Sequence, residues 1–307
     1  MSKVVIALGG NALGNTPKEQ QALLRKAVKN IIPLIQRGDK LVITHGNGPQ
    51  VGIINLAFED SYENKDIPYM PFPECTAMSQ GYIGYHIQKE IKRQLQEAGI
   101  EKEVVTVLTQ VVVDKKDPAF KNLSKPVGPF YTEKEAKMLM ERTGETYIED
   151  AGRGYRKVVA SPEPLDIIEF KTIDKLLNDD NIVIACGGGG IPVFKDNLTK
   201  GASAVVDKDR ASSLLAKKIN ADMFIILTNV DQAQINFNTE NSQPIGKISV
   251  SEVKKHIEAG EFAKGSMLPK VESCIDFVES TDGKAIITSL KNLDNGMHEI
   301  KSTVIHK

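Results

Sequence analysis

No stretch of this 307-residue sequence approaches the roughly 18 apolar residues that a membrane-spanning helix needs. The first apolar run, Val4 to Leu8, is five residues long before Gly9 interrupts it, so an N-terminal signal peptide is not expected. An excess of charge of one sign is also missing. The formal net charge of −1 gives no global basic field for nucleic acid or an anionic membrane surface, so any anionic ligand must be held by local positive charge. Cysteine is scarce: Cys75, Cys186 and Cys274 are odd in number, widely separated and without a paired metal-ligand spacing. Reduced, semi-buried thiols in a cytoplasmic protein are the expectation. The common phosphate-binding signatures are absent too. There is no Gly-x-x-x-x-Gly-Lys-Ser/Thr, no Gly-x-Gly-x-x-Gly beginning at Gly187 or Gly188, and no protein-kinase set of catalytic-loop and metal-binding motifs.

What is present is an ordinary globular composition, 41% hydrophobic and 26% charged, on a chain long enough for a substantial core. Its organising feature is a repeated junction. Val4 to Leu8 runs into Gly9-Gly10-Asn11, Leu41 to Thr44 into His45-Gly46-Asn47-Gly48, and Ile182 to Cys186 into Gly187 to Gly190. Short continuous apolar runs read as strands buried on both faces. Glycines at their ends let backbone N–H groups approach a ligand, commonly a phosphate. Ligands of open α/β sheets bind outside the carboxyl ends of the strands, so the three junctions point at one site.

Between the strands, helix signals recur. Thr16-Pro17-Lys18-Glu19 offers an N-cap, a first-turn proline and a capping-box glutamate before an apolar stripe that Gly38 closes, with a kink or shift expected at Pro33. Pro49 marks the first turn of a second helix, placing His45 to Gly48 at a helix N-terminus that attracts anions. Ile67 to Pro73 reads as an extended loop, Thr76 to Ala98 as a long helix and Val104 to Val113 as one strand. Lys115 to Glu163, broken by prolines and carrying a capped helix from Thr132 and strands near Tyr147 and Val158, reads as an inserted subdomain suited to a lid. Strands at Ile182, Met223, Ala285 and Thr303, and helices at Ile173, Arg210, Glu252 and Val271, resume the rhythm of a parallel sheet with helices on both faces.

Three lysines occupy unusual settings. Lys208 stands between Asp207 and Asp209 at a strand-to-helix junction, where flanking carboxylates can fix a lysine or approach a metal ion; Lys270 begins a helix; Lys125 lies within the proposed insertion. His45 adjoins the glycine turns and reads as a packed or hydrogen-bonding side chain rather than a proton carrier.

Together, Ala7-Leu8-Gly9-Gly10-Asn11-Ala12, His45 to Gly52, Met78-Ser79-Gln80-Gly81, Lys125-Pro126-Val127-Gly128, Gly152-Arg153-Gly154, Gly187 to Gly190, Asp207-Lys208-Asp209 and Gly265-Ser266-Met267 resemble the carbamate kinases of the amino acid kinase family, collinearly over essentially the whole chain. Two positions depart from the family pattern: Leu268, where glycine usually precedes Pro-Lys, and Ala160, where proline commonly precedes Ser-Pro. The resemblance implies a single α/β domain over residues 1–307, a three-layer αβα sandwich with a mainly parallel sheet and a protruding lid at about residues 115–163. It implies a cytoplasmic homodimer of arginine and carbamoyl phosphate catabolism that uses Mg2+ and ADP or ATP to interconvert carbamoyl phosphate and carbamate.

By the same resemblance, Gly9, Gly10, Asn11, Gly46, Asn47 and Gly48 hold the transferred phosphoryl and carbamate. Lys208 stabilises the transferring group, Asp209 orients the lysines, Lys270 contacts nucleotide phosphate and Lys125 reaches in from the lid. Gly188, Gly189, Thr228 and Asn229 lie on the nucleotide side, and Mg2+ is held mainly by nucleotide phosphates. The open alternatives are another small-molecule kinase of this fold and a nucleotide-binding regulatory relative. Loss of a phosphate-site lysine would mark the latter, and all three are present.

Overall fold

The computed structural model describes residues 1–10, 13–14, 16–65, 67–150, 152–263 and 265–307. Its elements begin with β1 (Lys3–Leu8), α1 (Pro17–Gln36), β2 (Lys40–His45), α2 (Gly48–Lys65), α3 (Phe72–Glu97), β3 (Val104–Thr106), β4 (Gln110–Val113), β5 (Lys125–Tyr131), α4 (Glu133–Thr143), β6 (Tyr147–Glu149), β7 (Tyr155–Val159) and β8 (Asp166–Ile167). They continue with α5 (Phe170–Asn178), β9 (Ile182–Ile184), β10 (Ile191–Phe194), β11 (Asn197–Gly201), α6 (Lys208–Lys218), β12 (Met223–Thr228), β13 (Gln234–Ile235), β14 (Gln243–Pro244), β15 (Lys247–Ser249), α7 (Val250–Glu258), α8 (Met267–Ser280), β16 (Lys284–Ser289), α9 (Leu293–Met297) and β17 (Thr303–His306).

Eight strands form the central sheet in the order β15-β17-β16-β12-β1-β2-β9-β3, and only the β16–β17 pair is antiparallel. The continuous apolar runs follow from burial of both faces. Along β1, Val4, Ile6 and Leu8 enter a core with Leu24 and Ile31 of α1 and Ile83 and Ile87 of α3. Val5 and Ala7 face the opposite core, with Leu215 of α6 and Phe277 of α8. The result is a three-layer αβα sandwich.

Local signals decide the helix ends. The Thr16 hydroxyl accepts a hydrogen bond from the Glu19 N–H at 3.2 Å, and α1 runs through Pro33 before Gly38 turns the chain at φ 84°. Two expected boundaries change. Helix α3 starts at Phe72, because Pro73 falls in its first turn, where a missing N–H costs nothing. The run Val104 to Val113 is two strands: β3 joins the central sheet, while β4 joins a second sheet, β11-β10-β4-β8. All three cysteines are free and fully buried rather than half-buried.

Residues 125–159 build a three-stranded antiparallel sheet, β5-β7-β6, with α4 started by a complete Thr132/Glu135 capping box. This sheet lies against α2 through Val51, Val127 and Val159. The approach is close: a Cβ on Gly52 would sit 2.1 Å from Gly128 Cα.

Candidate active site at the carboxyl edge of the central sheet

β1, β2, β9 and β12 run in one direction, so Gly9, Gly46, Ala185 and Asn229 leave the sheet at the same edge. A cavity of about 270 Å³ opens there, lined by Gly46, Asn47, Gly48, Lys125, Gly188, Lys208, Asp209 and Lys270 together with Asp207, Gly265 and Ser266.

The charged core of the cavity is set by the start of α6. Asp207 is the N-cap: its Oδ1 accepts from the N–H of Asp209 at 2.9 Å and of Arg210 at 3.4 Å, the usual way of satisfying a helix's first donors. Lys208 is then the first helical residue. Its Nζ lies 2.5 Å from Asp209 Oδ1, and Lys270 Nζ, from the first turn of α8, lies 2.8 Å from Asp209 Oδ2. Asp209 is buried, which pushes its carboxyl up. Lys208 and Lys270, by charge and hydrogen bond, outweigh that and hold it well below the usual carboxylate range. Burial lowers the pKa of Lys270, but Asp209 reverses the shift and raises it, so the ammonium stays charged. Lys125 Nζ enters from β5 and reaches Asp207 Oδ2 at 2.6 Å. Ser212 ties α6 to the sheet, its Oγ donating to Lys208 O at 2.5 Å and meeting Thr44 Oγ1 at 2.6 Å.

The neutral side of the cavity is built from turns. Gly46 to Gly48 carry β2 into the N-terminus of α2, and the Lys208 side chain lies over Gly46, whose hypothetical Cβ would be 3.5 Å from Lys208 Cδ. Gly188 is required twice, by its φ of 65° and because a Cβ would fall 2.1 Å from Asn47 Nδ2. Asn47 in turn donates to Ser79 Oγ at 2.8 Å. Gln80, beside Ser79 on α3, accepts from the Thr109 N–H at 2.8 Å, and its amide donates to Thr109 O at 3.1 Å and Gly187 O at 2.9 Å. His45 is buried, with Nδ1 donating to Gly46 O at 2.8 Å. Burial lowers its pKa to about 4, with Lys208 adding and the Gly46 carbonyl opposing, so the ring is neutral at physiological pH.

Of the residues singled out in the sequence, Lys125, Lys208, Asp209, Lys270, Gly46, Asn47, Gly48 and Gly188 therefore line one cavity. Gly9 and Gly10 leave the same edge but do not line it, and a Cβ on Gly10 would meet nothing within 4 Å. Gly189 packs under Val206, and Thr228 and Asn229 close β12 on the far side of β1. Asn11 lies outside the described residues. Sequence reasoning missed the second duty of Asp207 toward Lys125 and the bracing by Ser79 and Gln80. An aspartate just before a helix signals the cap, whereas nothing local signals the other contacts. Among the described residues no three His, Cys, Asp or Glu side chains converge as metal ligands.

The pattern of the amino acid kinase family matches residues 2–289. The chain is 51% identical over 307 residues to carbamate kinase 2 of Staphylococcus epidermidis, covering 99% of each, and 50% identical over 307 residues to carbamate kinase 3 of Staphylococcus aureus, again covering 99% of each. Among solved structures, the carbamate kinase of Giardia lamblia bound to AMP-PNP is similar with a TM-score of 0.92 at 42% identity, covering 100% of this chain and 98% of that one. The chain belongs to the amino acid kinase family, within its carbamate kinase branch.

Proposed function

We propose that the protein transfers a phosphoryl group between carbamoyl phosphate and ADP, giving ATP and carbamate, and catalyses the reverse. The observation that carries this reading is the convergence of Lys125, Lys208 and Lys270 on one small cavity, two of them held by a buried carboxylate. Phosphoryl transfer asks a protein for in-line positioning and for compensation of charge on the equatorial oxygens, with little covalent chemistry of its own. In this reading a terminal ADP oxygen attacks phosphorus and carbamate leaves. Lys208 and Lys270 meet the developing charge already oriented by Asp209, so no reorganisation is needed at the moment of transfer. The free N–H groups at the start of α2, with Gly46 and Asn47, grip the carbamate carboxylate. Gly9, Gly10 and Asn11 complete the phosphoryl side; Gly188, Gly189, Thr228 and Asn229 flank the nucleotide. His45, neutral and with its one N–H engaged by the Gly46 carbonyl, is assigned no proton transfer, and carbamate needs no proton removed.

Residues 115–163 act in this account as a lid that delivers Lys125 within a single domain. Asp207 and Asp209 already hold lysines, so the donor set suits an Mg2+ carried in by the nucleotide phosphates, which would supply further charge compensation. A cavity of about 270 Å³ favours an acceptor as small as carbamate over a larger carboxylate. We further take the protein as a cytoplasmic homodimer of arginine and carbamoyl phosphate catabolism, as the resemblance in its sequence motifs implies. Coupled detection of ATP from ADP and Mg2+, with carbamoyl phosphate compared against acetyl phosphate, tests the reading. ATP should form rapidly from the former, and absence of ATP, or faster formation from acetyl phosphate, would refute it.

A further inference from the structure

A second cavity, of about 310 Å³, lies between α2 and the inserted β5-β7-β6 sheet with α4. Its walls hold two tyrosine pairs. Tyr62 and Tyr69, from α2 and the stretch after it, meet edge to face with ring centroids 5.8 Å apart; Tyr131 and Tyr147, from β5 and β6, do the same at 5.6 Å. Tyr147 is only 7% exposed, yet its hydroxyl makes no hydrogen bond to any described residue. Tyr147 is among the residues lining the cavity; burial first, then Glu145, Tyr131 and Glu59, raise its pKa, with Arg142 opposing.

The charge of the cavity is biased. Glu59, Asp60 and Glu145 face one guanidinium, that of Arg142. Lys157 pairs from beneath with Glu59 at 3.1 Å and with Glu145. Asp60 accepts from Asn64 Nδ2 at 2.9 Å and has no cation partner among the described residues. Among the described residues, these three carboxylates against two cations leave one negative charge beside four aromatic rings.

We propose that this cavity is a second ligand site, selective for a small organic cation of the alkylammonium or guanidinium class. Ring faces attract a cation, Asp60 supplies the counter-charge, and the Tyr147 hydroxyl supplies a polar contact. The volume lies at the lower end of small-molecule sites, which sets the size of the occupant. An occupant touches α2 on one side and the insertion on the other, and so fixes the two against each other. Gly48 at the start of α2 and Lys125 at the start of β5 both line the carboxyl-edge cavity, so such a ligand is placed to influence it.

The chain has no tryptophan and seven tyrosines, so four of its seven intrinsic fluorophores line this cavity. The full-length protein, without nucleotide, is titrated with benzyltrimethylammonium, benzyl alcohol and benzoate while tyrosine emission is followed. The expected result is a saturable change with benzyltrimethylammonium alone. Its Kd should weaken roughly ten-fold in Asp60→Asn, which keeps every tyrosine, and in the double variant Tyr62→Ala/Tyr69→Ala. Both tyrosines are more than half exposed, and unchanged circular dichroism and melting would show that the variants fold. Absence of saturation, an equal response to benzyl alcohol, or undiminished affinity in both variants would overturn the proposal. No arm depends on turnover, so its failure is separate from failure of the proposed reaction.

Discussion

Lys125 and Asp207, 82 residues apart in sequence, are joined by a 2.6 Å ion pair. Asp207 is engaged twice, because one carboxylate oxygen caps α6 while the other holds Lys125. The β5-β7-β6 sheet is thereby joined to the helix that begins with Lys208. Lys125 is about one-third exposed, so the ion pair is worth at most about 1 kcal/mol, and in the proposed reaction an entering phosphoryl group competes for the ammonium.

Lys125→Ala should therefore impair turnover while leaving ADP affinity nearly unchanged in the absence of carbamoyl phosphate. Steady-state kinetics beside calorimetric titration with ADP separates the two quantities. An equal loss of ADP affinity in that binary complex would place Lys125 in the nucleotide site instead.

Gln80 offers a test of the glycine turn. Its buried amide donates to the carbonyls of Thr109 and Gly187, and Gln80→Glu sets an oxygen against both. Turnover should fall, and the ratio of variant to wild-type kcat should rise as pH drops and the new carboxyl protonates to donate once more. A ratio independent of pH would show that Gln80 does not position Gly187 through this bond.

Leu268 stands where the family pattern has glycine. It lies in the first turn of α8 with negative φ, its N–H donates to Ala263 O at 3.1 Å, and its side chain packs on the core. Leucine is thus accommodated without strain. Leu268→Gly should cost about 1 kcal/mol in helix propensity and roughly another 1 kcal/mol in lost apolar contact, with phosphoryl transfer within a few fold. Denaturant melts and initial rates check both, and a large gain in carbamoyl phosphate turnover would identify Leu268 as a specificity determinant.

His45 makes stability pH-dependent. Its native pKa of about 4 lies below the unfolded value of 6.5, so between those limits the unfolded chain binds one more proton and stability falls as pH falls. In His45→Gln the slope of unfolding free energy against pH over that window should be shallower by up to about 1.4 kcal/mol per pH unit. An unchanged slope would mean that the ring is protonated in the native protein.

The sequence disclosed those features whose signal is local. Apolar runs ending in glycine located β1, β2 and β9, and Thr132 with Glu135 located α4. Lys208, Asp209, Lys270 and Lys125 could be picked out by their settings and by the family resemblance. What remained hidden depends on contacts between distant segments. The break within Val104 to Val113 reflects Gln80 holding Thr109 from 29 residues away. β10 and β11 escaped notice because Pro192 interrupts one and the other is short, polar and exposed. The bond of Asp207 to Lys125 required the insertion to fold back over the sheet edge.

The most direct test of the account is the kcat of Lys208→Ala for ATP formation from ADP and carbamoyl phosphate. Lys208 touches Asp209 and lines the cavity without belonging to the apolar core, so the variant should fold. Removing one preorganised charge-stabilising group should lower kcat by on the order of 10² to 10³. Wild-type turnover in a folded Lys208→Ala protein would contradict the mechanism.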